Sequence, residues 1–142
     1  TLEKIGLDPV INYTPLKESE AGSPELYRKY PLHFITPAAK HFLNSTFNTV
    51  ETLRKREKEP TVFLHPEDAM ARGIADGDEV RVFNDRGEVK LTARVGDQTA
   101  RGVAISPSIW WERNVNLTTS ERTTDIGDGA TFHTNLVDIQ KA

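Results

Sequence analysis

Glu79-Val80-Arg81-Val82-Phe83-Asn84-Asp85-Arg86-Gly87-Glu88-Val89-Lys90-Leu91-Thr92-Ala93-Arg94-Val95 is a pair of alternating runs joined by turn residues. Apolar side chains at every second position put one face of each run on a core and leave the other in water. Between them, Asn84-Asp85-Arg86-Gly87 is turn chemistry, with Gly87 expected in the left-handed conformation that glycine adopts without steric cost. The stretch reads as a β-hairpin, and the rest of the chain is read outward from it.

Immediately upstream, Asp76-Gly77-Asp78 is a structural turn, because no calcium loop with a closing Glu follows it. His65-Pro66-Glu67-Asp68-Ala69-Met70-Ala71-Arg72-Gly73 reads as a short helix, with Pro66 near its start, acids in its first turn and Gly73 as its stop. His65 is expected to cap that helix. Before it, Thr61-Val62-Phe63-Leu64 is a short apolar strand. Asn48 to Glu59 favours helix, with Asn48 and Glu51 resembling a capping box and the basic run Arg54-Lys55-Arg56 read as a solvated face. Thr36-Pro37 is expected to open a further helical turn, after a strand-like Pro31-Leu32-His33-Phe34-Ile35-Thr36.

Downstream, Arg101-Gly102-Val103-Ala104-Ile105-Ser106 is a strand stopped by Pro107. Trp110 and Trp111 follow, with Trp111 expected in the core. A polar, turn-rich stretch then leads to a closing alternation over Phe132 to Ile139. Residues 1–30 read as an N-terminal arm or linker, extended where it touches anything. Its Glu18-Ser19-Glu20-Ala21-Gly22-Ser23 reads as flexible, and Gly22-Ser23 as linker in preference to a self-processing site. At least five short strands, one short helix and long loops make the chain mainly β, with short helices, as a compact β-barrel.

Composition bounds the function. The 142 residues suit one domain with an arm, at 37% hydrophobic and 27% charged. A net charge of −3 argues against binding nucleic acid by phosphate neutralisation. No run approaches the ~18 apolar residues of a membrane span. The start carries neither a basic, apolar leader nor an initiator Met, so a processed or excised piece is expected. With no cysteine there is no disulfide, thiolate metal site or cysteine nucleophile. His33, His41, His65 and His133 lack ligand spacing, so no metal site is expected, and no G-x-S-x-G elbow marks a catalytic serine. The loops Thr36 to Asn48 and Trp110 to Phe132 are rich in Thr, Ser, Asn and aromatic residues. These types either cap turns or supply paired donors and acceptors for a heterocycle edge.

Several of these segments carry a family resemblance. Pro31-Leu32-His33-Phe34-Ile35-Thr36-Pro37 with Asn44-Ser45, then His65-Pro66-Glu67-Asp68-Ala69, Gly73-Ile74, Asp76-Gly77-Asp78, Val80 and Asn84-Asp85-Arg86-Gly87, stand in a telling order. Gly102-Val103, Trp110-Trp111, Asn116-Leu117-Thr118, Phe132-His133 and Val137-Asp138-Ile139 continue it. Residues 31–142 resemble the C-terminal dinucleotide-binding domain of the molybdopterin oxidoreductase family, of the dimethyl sulfoxide reductase and formate dehydrogenase type.

The resemblance implies a double-psi β-barrel of the aspartate-decarboxylase-like kind. It implies a cofactor, molybdopterin guanine dinucleotide, whose molybdenum or tungsten is carried by the intact enzyme, and no catalytic residue in this domain. Redox chemistry would occur at the metal nearby while this domain binds and orients the pterins, so the isolated fragment is expected to be inactive. Carried over position by position, the cofactor-binding residues are Thr36, Pro37, Ala38, His41, Asn44 and Ser45 in a first loop, Ser108 and Trp110 in a second, Asn116 in a third, and Phe132 and His133 in the last. Relatives often carry an aromatic residue followed by Lys at the last pair, and His133 stands in place of that Lys. The implied partners are the remaining domains of the same oxidoreductase and its pterin cofactor, with no nucleic acid and no membrane insertion. A soluble location is expected, the cytoplasm favoured. The alternative from another class is a stand-alone double-psi barrel acting as a protein-interaction adapter. The long Thr36–Ser45 loop, the tryptophan pair and Asn116-Leu117-Thr118 argue against it, since an adapter has no need of them.

Overall fold

The computed structural model describes residues 2–10, 12–124 and 127–142. Among them six strands close into a barrel in the order β1-β5-β2-β4-β3-β6. These are β1 (Leu32–Ile35), β2 (Thr61–Leu64), β3 (Glu79–Phe83), β4 (Glu88–Val95), β5 (Val103–Ile105) and β6 (Asn135–Lys141). β1–β5 and β2–β4 are parallel pairs, and the other four pairings are antiparallel. The mainly β barrel read from the sequence is present, its six strands within the at least five expected there, and its parallel pairs fit a double-psi topology. Closure leaves no sheet edge to protect.

The β3–β4 hairpin forms as the alternation requires, with Val80 opposite Leu91 and Val82 opposite Val89 in register. These side chains join Leu32, Phe34, Val62, Leu64, Ala104, Val137 and Ile139 in one barrel core. Gly87 departs from the expectation: the left-handed glycines are Gly6, Gly73, Gly77, Gly102 and Gly127. The constraint at Gly87 is a close approach, since a Cβ there would sit 2.8 Å from the Leu117 carbonyl oxygen.

Helix α1 covers Pro24–Lys29, α2 covers Glu51–Glu57, and α3 covers Pro66–Ala71. α3 follows its sequence signals. His65 caps it by accepting from the Glu67 N–H at 3.3 Å. Gly73 (φ +64°) ends it, with Ile74 N–H bonded to the Ala69 carbonyl in the crossed pattern of a glycine stop. The buried Asp68 then accepts from the Gly102 N–H at 2.7 Å, fixing the entry to β5.

Four local expectations are corrected. Thr36-Pro37 opens no helix, because the backbone there pairs with residues 106–108 instead: Ser106 N–H bonds the Ile35 carbonyl and Ser108 N–H that of Pro37. Asn48 forms no capping box. The residue preceding α2 is Val50, and Asn48 is buried with its amide donating to the Ile109 carbonyl. Trp111 is 63% exposed, and its indole N–H reaches the Ser45 carbonyl. The arm is neither simply extended nor loose around Glu18. That side chain is buried against the barrel, and the arm goes on into α1. Glycine, serine and acid in Glu18 to Ser23 read as flexible because the partner that holds Glu18 lies 68 positions away.

Candidate functional site

At one end of the barrel the long connections converge around a cavity of about 530 Å³. The first wall comes from the segment after β1. Ser108 and Ala39 tie it to the residues after β5: Ala39 N–H bonds the Ser108 carbonyl at 2.7 Å, and the Ser108 hydroxyl lies 3.2 Å from both the Thr36 and Pro37 carbonyls. Further along, Leu43 and Thr46 bond each other in both directions, a tight turn with Asn44 in the left-handed region at φ +51°. Asn tolerates that conformation better than most residues, and it brings Asn44 to the cavity wall.

The second wall is the segment 114–121. Val115–Thr118 forms a 3₁₀ turn, capped by the Asn114 side chain accepting from the Asn116 N–H at 3.0 Å. Thr119, Ser120 and Glu121 continue along the cavity. The third wall is Phe132 and His133, stacked edge to face with ring centroids 4.3 Å apart. Buried Asn135 holds the second and third walls together. Its carbonyl oxygen accepts from the Ser120 N–H at 2.8 Å, and its amide donates to the Phe132 carbonyl.

The structure brings together seven residues named from the sequence: Thr36, Ala38, Asn44, Ser108, Asn116, Phe132 and His133 all line this cavity. Four others stand behind it. Pro37 serves through its backbone carbonyl. His41 is engaged with Glu57, which accepts from both its backbone N–H and, at 3.0 Å, its ring Nδ1. Ser45 offers its carbonyl to Trp111. Trp110 is buried in a satellite cluster with Ala39 and Phe42, its ring 5.1 Å from that of Phe42, and the Arg54 guanidinium lies over its ring at 4.9 Å. Arg54 also pairs with Glu112, and hydrogen bonding holds the Glu112 carboxyl below the usual carboxylate range while raising Arg54.

Sequence reading missed Ile109, Thr119, Ser120 and Glu121 on the lining. The signal for them was weak: a polar stretch of Thr and Ser looks the same whether it caps turns or faces a ligand. Thr119 is the most telling of them. Its Oγ1 is the buried side-chain polar atom that lacks any hydrogen-bond partner among the described residues. A desolvated hydroxyl without a partner costs about 1–3 kcal/mol, so a wall that keeps one is suited to a group arriving from outside. With the amides of Asn44 and Asn116 and the hydroxyls of Thr36 and Ser120, the donor set fits the alternating donors and acceptors of a pterin edge. The Phe132–His133 pair offers ring faces beside it. Among the described residues no group of three or more His, Asp or Glu side chains is placed to hold a metal ion, and no helix is long and apolar enough to cross a membrane.

Comparison with known proteins agrees with this donor chemistry. The family model described as "Molydopterin dinucleotide binding domain" matches residues 32–136. "Probable oxidoreductase YoaE" of Bacillus subtilis (strain 168) is 37% identical over 145 residues, covering 99% of this chain and 20% of that protein. Dimethyl sulfoxide reductase DmsA of Escherichia coli (strain K12) is 34% identical, covering 95% of this chain and 17% of that protein. Trimethylamine-N-oxide reductase 1 of the same organism is 39% identical, covering 80% and 16%. The chain therefore spans a fifth or less of the length of these relatives. Among solved structures, acetylene hydratase from Pelobacter acetylenicus shares the fold with a TM-score of 0.83 at 22% identity, over 99% of this chain and 22% of that one. The match over most of the barrel, together with the cavity its loops build, means that the chain belongs to the molydopterin dinucleotide binding domain family and is a module for binding a molybdopterin cofactor.

Proposed function

We propose that this chain is the C-terminal domain of a molybdenum- or tungsten-dependent oxidoreductase that carries bis(molybdopterin guanine dinucleotide). In that reading residues 31–142 are the cofactor-binding barrel and residues 1–30 the arm that leads into it. The unpartnered hydroxyl of Thr119 on a cavity rimmed by amides and hydroxyls carries the reading. The relatives, five or more times longer than this chain, support further domains around it.

When bound, the cofactor supplies the redox-active metal. The chain's own residues bind and orient. Thr36, Asn44, Asn116, Thr119 and Ser120 would meet the polar edge of the pterin with fixed donors and acceptors, and Phe132 and His133 would cover it and exclude water. Pro37, Ser108 and Trp110 hold the first wall in place, and His41 and Ser45 anchor its loop. His133 would meet the cofactor with an imidazole ring beside that of Phe132.

The test is Asn116→Ala in the full-length polypeptide that contains these residues. Asn116 is exposed, so the fold should be untouched by circular dichroism. Metal and pterin content per polypeptide should fall about tenfold, as expected when a paired hydrogen-bond contact is lost. Wild-type pterin content in that variant would remove Asn116 from the site. A wild-type polypeptide purified without pterin would overturn the reading as a whole.

A further inference from the structure

We infer that Glu18 and Arg86 form a clamp through which the N-terminal arm positions the cavity wall bearing Asn116, Thr119 and Ser120. The inference rests on the cofactor reading above and adds to it two positioning residues outside the lining of the main cavity.

Glu18 is 3% exposed, although it sits in an arm that is mostly open to solvent. Its carboxylate accepts from Arg86 Nη1 at 2.8 Å and Nη2 at 3.0 Å, a bidentate pair, and also from the Leu136 N–H at 2.9 Å. A carboxylate buried this deeply is kept only where its oxygens are satisfied, and here they are. The third edge of the same guanidinium faces the cavity wall: Arg86 Nε donates to the Thr118 carbonyl at 2.9 Å. That peptide carbonyl links Thr118 to Thr119, the residue with the unpartnered hydroxyl. Because the guanidinium is planar and rigid, the position of Glu18 sets the position of Thr118.

The rest of the turn works to the same end. The Asn84 amide donates to the Thr118 carbonyl at 2.8 Å and to that of Leu136 at 3.1 Å. Gly87 lets the Leu117 carbonyl approach closely, and Asp85 accepts from Lys29 and the Tyr30 hydroxyl at the end of the arm. Arg86 itself lines a neighbouring pocket together with Asn116, Thr119 and Ser120. The tetrapeptide Asn84-Asp85-Arg86-Gly87 is thus a joint, with the arm on one side and the cavity wall on the other. An ion pair serving stability alone would have no need of the Thr118 contact.

The experiment uses Glu18→Gln and Arg86→Lys in the full-length polypeptide, with Arg81→Lys, which faces Glu88 on the barrel exterior, as control. Glu18→Gln keeps the shape and an acceptor for Leu136 N–H. Arg86→Lys keeps the charge but lacks the fork needed to hold Glu18 and Thr118 together. In cofactor-stripped protein, amide exchange at Thr119 and Ser120 should quicken about tenfold in both variants, and pterin retained after dialysis should fall by a similar factor. The control should match wild type in both. A lower melting temperature with wild-type exchange and wild-type retention would make the pair merely structural and overturn the inference. If Glu18→Gln does not fold, Arg86→Lys decides by the same readouts. A wild-type polypeptide that carries no pterin sinks the cofactor reading, and the exchange rates then judge the clamp without it.

Discussion

Thr119 joins stability and function at the scale of one residue. Its Oγ1 is desolvated with no partner among the described residues, whereas its neighbour Thr118, fully buried, spends its hydroxyl on the Val115 carbonyl at 2.9 Å. Two adjacent threonines therefore differ, one hydroxyl closing a 3₁₀ turn and the other buried without a partner among the described residues. Thr119→Val keeps the shape and removes the unsatisfied hydroxyl, so the cofactor-free protein should melt at or slightly above the wild-type temperature, a gain of up to about 1 kcal/mol. Pterin content should fall at the same time. A variant that loses stability would show that the hydroxyl had a partner in the folded chain. One that keeps full pterin content would show that it contacts no cofactor.

Among the elements, the β3–β4 hairpin and its turn were legible because period-2 alternation and turn residues are local signals, and α3 was legible for the same reason. The arm was not. What places it is a set of contacts across long sequence separations, including Lys29 and the Tyr30 hydroxyl on Asp85. The same limit separates the lining residues from those behind them. Asn44 and Asn116 look no different in sequence from Ser45 or Asn48, and only the folding of loops around Ser108 and Asn135 sorts them. At the turn this distinction has a pH signature. Hydrogen bonds from Lys29 first, and then from Tyr30, hold the Asp85 carboxyl below its ordinary value of 3.8. A carboxylate with a depressed folded pKa stabilises the fold above its unfolded value, and that contribution is lost as pH falls through the folded one. The stability difference between wild type and Asp85→Asn should therefore be constant between about pH 5 and pH 8 and shrink only below pH 3.8. Denaturant unfolding at a series of pH values measures it. A gap that closes near neutral pH would mean that a histidine, not Asp85, sets the dependence.

At the scale of the molecule, the described residues form two packed regions of unequal standing. The barrel core joins residues from all six strands, while Ala39, Phe42 and Trp110, with Leu53 against them, form a separate cluster under the first cavity wall. A closed barrel opens as a unit, but a loop wall resting on three buried side chains opens by itself. Leu91, wholly buried in the barrel, and Phe42, in the satellite cluster, probe the two. Leu91→Ala should cost about 3 kcal/mol and speed exchange of barrel amides such as Val82 and Ile139 by about a hundredfold. Phe42→Ala removes a larger ring, yet its cost to the barrel is capped at the free energy with which the loop closes, because an open loop has nothing further to lose. Amides of the first wall, Ala39, Leu43 and Thr46, should exchange much faster in Phe42→Ala while those of β3 and β6 stay near wild type. Native-state hydrogen exchange on the two variants separates these outcomes. Barrel amides that quicken equally in both would show one cooperative unit. If the two regions respond separately, binding has a stable frame and a wall that opens on its own, the arrangement by which a bulky cofactor enters the loops without unfolding the barrel.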